Sequence, residues 1–233
     1  MILKNYILTS DKLVDKTILL VEYFYKKYYP ESKVVVLGYS EPTVKSDFVE
    51  FISLGKDTGP NVVCRSLANF FEKTEEDYFI FEVDDKPIFK KVNVDLLQEI
   101  LEYMKRNGNI GRFGLTLDNT FRKYEVVCKE KELTFYKNTK GEMHKMSATN
   151  SIWKKEYFLK YLNLFDNLWQ WEVDSHLLSI DDGYYCFGSL PAVIDFTHIF
   201  AKGILLENWN RSPHTSNLLS DEDSNFIKNL YKI

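Results

Sequence analysis

The chain has 233 residues, of which 45% are hydrophobic and 27% charged, so a disordered or fibrous class is excluded. A formal net charge of −4 provides no general basic field, and no nucleic-acid partner is expected. Cys64, Cys128 and Cys186 form neither a zinc pattern nor a disulfide framework, which indicates a reducing, cytoplasmic compartment. No run approaches the ~18 apolar residues that cross a bilayer, so no transmembrane segment is expected.

The first half of the chain alternates predicted strands and helices. Short runs rich in β-branched and aromatic residues predict strands over 6–9, 33–37, 49–54 and 78–85. Apolar residues at helical spacing predict helices over 13–29, 61–71 and 95–106. This order predicts an α/β fold in a single domain, with an open, mainly parallel twisted sheet flanked by helices.

The second half of the chain is less periodic. Residues 133–136 and the residues on either side of 138–141 are expected to form a β-hairpin, or a loop that crosses over the ligand-binding edge of the sheet. Helices are expected over 154–162 and 167–176, with strands within 184–194. Residues 213–233 are interpreted as a peripheral C-terminal tail with a short helix over 225–231.

Adjacent carboxylates follow a buried strand at Glu82-Val83-Asp84-Asp85. Such a pair is costly to desolvate and self-repelling unless a cation compensates it, although a solvated acidic turn is the simpler alternative. Mg²⁺ and Mn²⁺ prefer oxygen ligands and share them with substrate phosphates, so Asp84 and Asp85 are expected to hold a metal-bound diphosphate. Which two of the three carboxylates form the metal-binding pair stays open, because strand alternation puts Glu82 on the same face as Asp84.

Four short motifs, taken in their order, resemble GT-A type glycosyltransferases. They are the acidic strand 78–85, the segments 109–115 and 151–158, and the Trp-rich motif 168–172. The resemblance spans roughly residues 5–205. The family members concerned are small bacterial enzymes and the compact N-terminal domain of a chlorovirus enzyme. It implies a single GT-A-like domain over 1–233 that uses Mn²⁺ or Mg²⁺. The implied reaction moves a sugar from a nucleotide-sugar donor to a hydroxyl of a glycan or glycoconjugate acceptor.

The Trp-rich motif supplies the implied catalytic residues. The family places a catalytic carboxylate directly after a tryptophan, which favours Glu172 as general base over Asp174. Trp169 and Trp171 would form the acceptor wall, because sugar rings pack on indole faces. A base on the acceptor side implies a single displacement with inversion. The alternative is an exposed carboxylate whose neighbouring tryptophans belong to the core.

The resemblance also implies a metal and donor site near the strand ends. His198 would complete the metal shell with Asp84 and Asp85, and Lys202 would contact the diphosphate. The implied donor-binding residues are Thr9, Ser10, Asp11, Tyr39, Arg65, Asp84 and Arg112. For each of these the ordinary alternative is a core histidine or a surface polar side chain.

Two other functions compete with glycosyl transfer. A sugar nucleotidyltransferase also uses acidic residues at a strand end, but it normally carries a glycine-rich basic loop after the first strand. Ser10-Asp11-Lys12 is a poor substitute for that loop. A catalytically inactive carbohydrate- or protein-binding module on the same fold is the third possibility.

Overall fold

The computed structural model describes residues 2–10, 12–57, 59–117, 120, 123–139, 146–201 and 204–232. The strands are β1 (Lys4–Leu8), β2 (Lys33–Gly38), β3 (Val49–Ser53), β4 (Tyr78–Val83), β5 (Ile110–Gly114), β6 (Tyr124–Glu130), β7 (Leu133–Asn138), β8 (Ser151–Lys154), β9 (Tyr185–Leu190), β10 (Phe200–Ala201) and β11 (Ile204–Leu205). The α-helices are α1 (Val14–Tyr28), α2 (Val63–Phe71), α3 (Val94–Arg106), α4 (Lys155–Leu162), α5 (Leu168–Leu178) and α6 (Asp221–Tyr231). A short 3₁₀-helix over Pro60–Val62 precedes α2.

Nine strands form one sheet in the order β3-β2-β1-β4-β8-β5-β9-β7-β6. Strands β3, β2, β1 and β4 are parallel to one another, and β5 is parallel to β9. The pairings across β8 and β7 are antiparallel, so only these two of the nine strands oppose the common direction. The predicted mainly parallel α/β sheet with flanking helices is confirmed.

Strand alternation divides the core into two layers. In β2, Val34 and Val36 face the layer that contains Phe24 of α1, whereas Val35 and Leu37 face the opposite layer. That second layer contains α2, α4 and α5, whose aromatic side chains pack against β4 and β8. Both faces of the central strands are therefore covered, as their continuous apolar runs predict. In the part of the chain that the structure describes, no helix combines the length and apolar character needed to cross a membrane.

The hairpin around β7 differs from the expectation. Its partner is β6, which precedes it in the chain, and the turn lies at Lys131, where φ is +48°. Most of β6 is exposed because it is the outermost strand of the sheet. An exposed edge strand does not need the apolar alternation that identifies a half-buried strand, which is why the sequence pattern missed β6.

The C-terminal segment is not peripheral, which corrects the expectation for 213–233. Helix α6 begins at Asp221, where the side chain of Ser220 accepts a hydrogen bond from the backbone N–H of Asp223. The Asp223 carboxylate is completely buried against α1 and lies 2.7 Å from Lys27 Nζ. It also accepts hydrogen bonds from Tyr23 (3.0 Å) and Tyr28 (2.5 Å). These contacts anchor α6 to the body of the domain.

Candidate active site at the carboxyl ends of the parallel strands

Three adjacent parallel strands end together at one edge of the sheet. Leu8 at the end of β1 lies beside Leu37 of β2 on one side and Val83 of β4 on the other. The polar residues that follow these strands therefore converge, as expected for the ligand-binding edge of an α/β sheet. Thr9, Ser10, Tyr39 and Asp84 all line one cleft of about 570 Å³. The structure thus brings together four of the predicted donor-binding residues.

The far wall of this cleft comes from the loop before α2 and from the start of α5. Its residues are Asp57, Gly59, Pro60, Asn61, Val63, Asn167, Leu168 and Trp169. Gly59 has φ of +102°, a conformation that favours glycine, and it leads into the 3₁₀-helix that presents Asn61. Trp169 is 67% exposed and borders the cleft, so it lies beside the donor residues. Asp57 and Asn167 are isolated polar residues that belong to no motif, so no sequence pattern indicated that they would line the cleft.

Asp84 is held by hydroxyl groups from two elements. Its Oδ2 accepts hydrogen bonds from Thr9 Oγ1 (2.6 Å) and from Thr17 Oγ1 on α1 (3.0 Å). The backbone N–H of Ser10 also donates to this oxygen, at 3.4 Å. Burial raises the pKa of the Asp84 carboxyl above its ordinary value, against the opposing effect of the Thr9 hydrogen bond, and the charge of Asp85 adds to the rise.

Asp85 is paired with His198, whose Nε2 lies 2.9 Å from Asp85 Oδ2. The segment that carries the histidine runs antiparallel to the residues after β4: Ile199 N–H donates to the Asp85 carbonyl at 3.0 Å. Phe196 forms an isolated bridge with Ile88 a few residues further on. This backbone pairing places the histidine opposite the acidic residue. The predicted association of Asp85 with His198 is present.

The Asp85–His198 pair fits a divalent cation in two respects. Asp85 Oδ1 is buried and has no hydrogen-bond partner among the described residues, so it is an oxygen that lacks a compensating charge. Two ligand atoms bound at right angles to one cation lie about 3 Å apart when each is about 2.1 Å from it, close to the observed separation. Carboxylate oxygen and imidazole nitrogen both suit Mn²⁺.

The full three-ligand shell is not assembled. Among the residues that the structure describes, no group of three His, Cys, Asp or Glu side chains is arranged to hold a metal ion. Asp84, the third expected ligand, directs Oδ2 to Thr9 and Thr17 instead. A cation at Asp85 and His198 would therefore need further ligands from water or substrate phosphates, which is the usual arrangement for Mg²⁺.

Glu82 is excluded as a replacement for either aspartate. Its side chain is 2% exposed, lies in the core on the α1 side and accepts a hydrogen bond from the Tyr25 hydroxyl. Burial raises the pKa of Glu82 to about 8, although the Tyr25 hydrogen bond acts in the opposite direction. Glu82 shares a face with Asp84 but lies two residues, roughly 6–7 Å, deeper along the strand. The acidic motif is therefore Asp84-Asp85.

Two predicted ligand contacts are wrong because the side chains are buried. Arg112 is 0% exposed on the central strand β5, where its Nε donates to Ser151 Oγ at 3.0 Å. Its guanidinium also lies 5.5 Å from the ring centroid of Trp153. Trp171 is likewise 0% exposed, with its ring 5.3 Å from that of Trp153. Neither side chain presents a surface to a ligand: Arg112 is not a donor contact and Trp171 is not part of an acceptor wall.

None of the remaining predicted residues that the structure describes is among those that line the cleft. Arg65 is exposed and lies 3.8 Å from the carboxylate of Asp166, outside the set that lines the cleft. Asp174 is exposed on α5. Glu172 is half-buried on the same helix and accepts a hydrogen bond from the backbone N–H of Ala148. Asp11 and Lys202 lie outside the described residues.

A second cavity, of about 370 Å³, opens on the other side of the acidic pair. It is lined by Ser10, Lys12, Leu13, Asp84, Asp85, Phe200 and Tyr231. Ser10 and Asp84 also border the first cleft, so the two spaces meet at these residues. Burial raises the pKa of Tyr231, and the charges of Asp84 and Asp85 raise it further. This hydroxyl therefore stays protonated and can donate a hydrogen bond.

No protein-family model and no curated protein sequence matches the chain. Among solved structures it is similar to HddC from Yersinia pseudotuberculosis, at 14% identity over 99% of both chains with a TM-score of 0.46. It is also similar to the glycosyltransferase GlyE of Streptococcus pneumoniae, at 10% identity over 80% of this chain and 45% of GlyE, with a TM-score of 0.47. A CMP:2-keto-3-deoxy-manno-octonic acid synthetase complexed with CTP aligns at 12% identity over 82% of this chain and 91% of that chain, with a TM-score of 0.45.

Proposed function

We propose that the protein is a metal-dependent glycosyltransferase of the GT-A type that moves a sugar from a nucleotide-sugar to a hydroxyl acceptor. The observation that carries the proposal is the Asp85–His198 pair beside Asp84 at the point where two cavities meet. A nucleotide-sugar has a base and ribose, a diphosphate and a sugar, and the two cavities with the acidic pair between them suit these three parts.

The first cleft suits the nucleoside. Tyr39 follows β2 and offers a ring on which a base can stack. Asp57, Asn61 and Asn167 surround the same space with carboxylate and amide groups that can hydrogen-bond a base edge or ribose hydroxyls. Aromatic and polar groups that converge in one concave site are the usual composition of a small-molecule pocket.

The metal in this proposal is Mn²⁺ or Mg²⁺, and Asp85 and His198 are the residues that would hold it. When bound, the cation would supply positive charge that compensates the diphosphate leaving group. The chain itself keeps Asp84 in place through the hydroxyls of Thr9 and Thr17. Asp84 thereby forms the wall shared by both cavities, without a direct contact to the cation.

Glu172 is the proposed general base. The acceptor hydroxyl oxygen forms a bond to the anomeric carbon as the bond from that carbon to the phosphate oxygen breaks. The hydroxyl proton passes to Glu172, and the bonding electron pair leaves with the nucleoside diphosphate, so a single displacement inverts the configuration. The ring of Trp169, three residues earlier on α5, borders the first cleft but is 67% exposed, so the part of the ring outside the cleft is proposed to contact the acceptor sugar. Asp174, which is exposed on the same helix, is the second choice of base.

A thermal-shift screen of UDP-, GDP- and dTDP-sugars with and without Mn²⁺ tests the proposal. A ligand of the native state adds RT ln(1 + [L]/Kd) to the unfolding free energy, about 2.7 kcal/mol at 100 Kd. We expect stabilisation by at least one nucleotide-sugar, larger with Mn²⁺. A flat response to all of them contradicts the proposal, and pyrophosphate release from a nucleoside triphosphate and a sugar phosphate would instead identify a nucleotidyltransferase.

A further inference from the structure

Helix α6 delivers an aromatic side chain to the acidic pair from the C-terminal end of the described chain. Its first turn is fixed to α1 by the buried Asp223 and its contacts with Lys27 and Tyr28. Further along the helix, Phe226 stacks on Tyr23 of α1 with ring centroids 3.9 Å apart. The last residue of the helix is Tyr231, which lines the second cavity together with Asp84 and Asp85.

The Tyr231 ring is fixed where it borders this cavity. Lys16 Nζ lies 5.0 Å from the ring centroid, and the Phe200 ring lies 4.8 Å away at an angle of 64°. The side chain thus has packed neighbours from α1 and β10 in addition to its own helix. A ring whose position is determined by packing can select among ligands, because little conformational freedom is lost when a ligand binds.

The second cavity has the chemical composition that a monosaccharide requires. Leu13, Phe200 and the Tyr231 ring supply apolar surface for the C–H groups of a pyranose ring. Lys12 and the Tyr231 hydroxyl supply hydrogen-bond donors, whereas Asp84 supplies an acceptor for sugar hydroxyls, since Asp85 is assigned to the cation. Ser10 and Asp84 line both this cavity and the first cleft, so the two spaces are adjacent, as binding of one extended donor across them would require.

We propose that the second cavity binds the sugar of the nucleotide-sugar, and that Tyr231 is a specificity-determining residue for that sugar. The inference rests on the proposed function, since it divides one donor molecule between the two cavities. It assigns to the C-terminal helix a binding role that the sequence did not indicate. It also separates the residues that recognise the nucleoside, around Tyr39, from those that recognise the sugar, around Tyr231.

Calorimetric titration in Mn²⁺ with matched ligand pairs tests this division. The probes are UDP-glucose and UDP-N-acetylglucosamine against UDP, and GDP-mannose against GDP. For the pair that binds, Tyr231→Ala is expected to weaken the nucleotide-sugar about tenfold, through loss of a ring contact and a hydrogen bond, and the free diphosphate less than about twofold. Tyr231→Phe keeps the ring and should produce a smaller loss for the nucleotide-sugar only.

Three further variants serve as controls. Tyr39→Ala is expected to weaken the nucleotide-sugar and the free diphosphate alike, whereas Tyr124→Ala, at an exposed position of β6, should change neither. Phe200→Ala alters another wall of the same cavity and should reproduce the selective loss if Tyr231→Ala fails to fold. If Tyr231→Ala and Phe200→Ala weaken the nucleotide-sugar and the free diphosphate equally, or weaken neither, the sugar-binding role of the second cavity is overturned. The proposed function is unaffected by that result. If the unmodified protein binds none of the five probes and no nucleotide-sugar stabilises it in the thermal-shift screen, the proposed function fails as well. If only a dTDP-sugar stabilises it, that sugar and dTDP become the matched pair.

Discussion

His198 Nε2 lies 2.9 Å from Asp85 Oδ2, although 113 residues separate the two side chains in the sequence. The contact exists because the segment around His198 runs antiparallel to the residues that follow β4. Asp85 Oδ1 is buried without a hydrogen-bond partner among the described residues, so the pair is placed as a cation site would require. This oxygen is the one whose charge the proposed cation would compensate.

Removal of either partner should weaken the binding of Mn²⁺. Loss of a ligand such as Asp85 or His198 is expected to weaken Mn²⁺ binding by at least the 10–100-fold typical of changes to groups that orient metal ligands. The measurement is a titration of Mn²⁺ into Asp85→Asn and His198→Ala at a fixed concentration of nucleoside diphosphate. Glu207→Gln, which changes an exposed carboxylate in the same region, is the control. Unchanged Mn²⁺ affinity in both site variants would show that Asp85 and His198 do not bind the metal.

Thr17 on α1 should affect stability through its hydrogen bond to Asp84. Thr17→Val keeps the shape of the buried side chain but removes a donor to the partly buried Asp84 carboxylate, and about 1.5–3 kcal/mol of unfolding free energy should be lost. Thr43→Val is the matched control, since Thr43 donates to Asp15 at an exposed site and its loss should cost less than about 0.5 kcal/mol. Urea denaturation measures both. Equal stability of Thr17→Val and the unmodified protein would mean that Asp84 does not depend on this hydroxyl.

The buried Glu82 predicts an unusual dependence of stability on pH. Its pKa of about 8 in the folded state lies above the value of about 4.3 for an unfolded chain. Between these values the folded state keeps a proton that the unfolded state has lost, so the unfolding free energy contributed by Glu82 falls as pH rises from about 4.3 to about 8. Glu82→Gln cannot titrate, and its loss of stability between pH 5 and pH 9 should be smaller by a few kcal/mol. If the urea midpoints of the unmodified protein and Glu82→Gln change in parallel over this pH range, the raised pKa of Glu82 is contradicted.

The anchor of α6 depends on one buried carboxylate. Asp223→Ala removes the partner of Lys27 and of two tyrosine hydroxyls, and we expect a loss of about 2–3 kcal/mol, because Lys27 is 30% exposed and can be rehydrated. Glu222→Gln is the control: Glu222 also lies 2.7 Å from Lys27 Nζ but is 73% exposed, so its loss should cost less than about 1 kcal/mol. Hydrogen exchange should show earlier opening of α6 in Asp223→Ala only. Similar protection of α6 in both variants would show that Asp223 is not the anchor.

The sequence predicted the parallel half of the sheet and the acidic edge because these depend on local patterns. Continuous apolar runs identify strands that are buried on both faces, and Asp84-Asp85 follows such a run directly. The order of strands and helices then places their carboxyl ends together. Thr9, Ser10 and Tyr39, which the family resemblance implied as donor-binding residues, follow two of these strands and line the cleft.

The errors concern which way side chains face, which depends on packing. Trp169 and Trp171 are two positions apart on α5 and therefore point about 200° apart around the helix, so only one of them could face a ligand. Arg112 looked like an exposed cation, but β5 lies between β8 and β9 and is buried along its whole length. Tyr231 was missed because its position depends on the anchor at Asp223, 200 residues from Tyr23.

Release of nucleoside diphosphate from a nucleotide-sugar is the most direct test of the central claim. The protein is incubated with UDP-, GDP- and dTDP-sugars and a mixture of glycan acceptors, with Mn²⁺ or with a chelator. We predict diphosphate release from at least one donor with Mn²⁺, little release with the chelator, and a loss of about 10²–10⁴-fold in Glu172→Gln. No release from any donor with Mn²⁺ present, or equal release with and without it, would contradict the assignment of a metal-dependent glycosyltransferase.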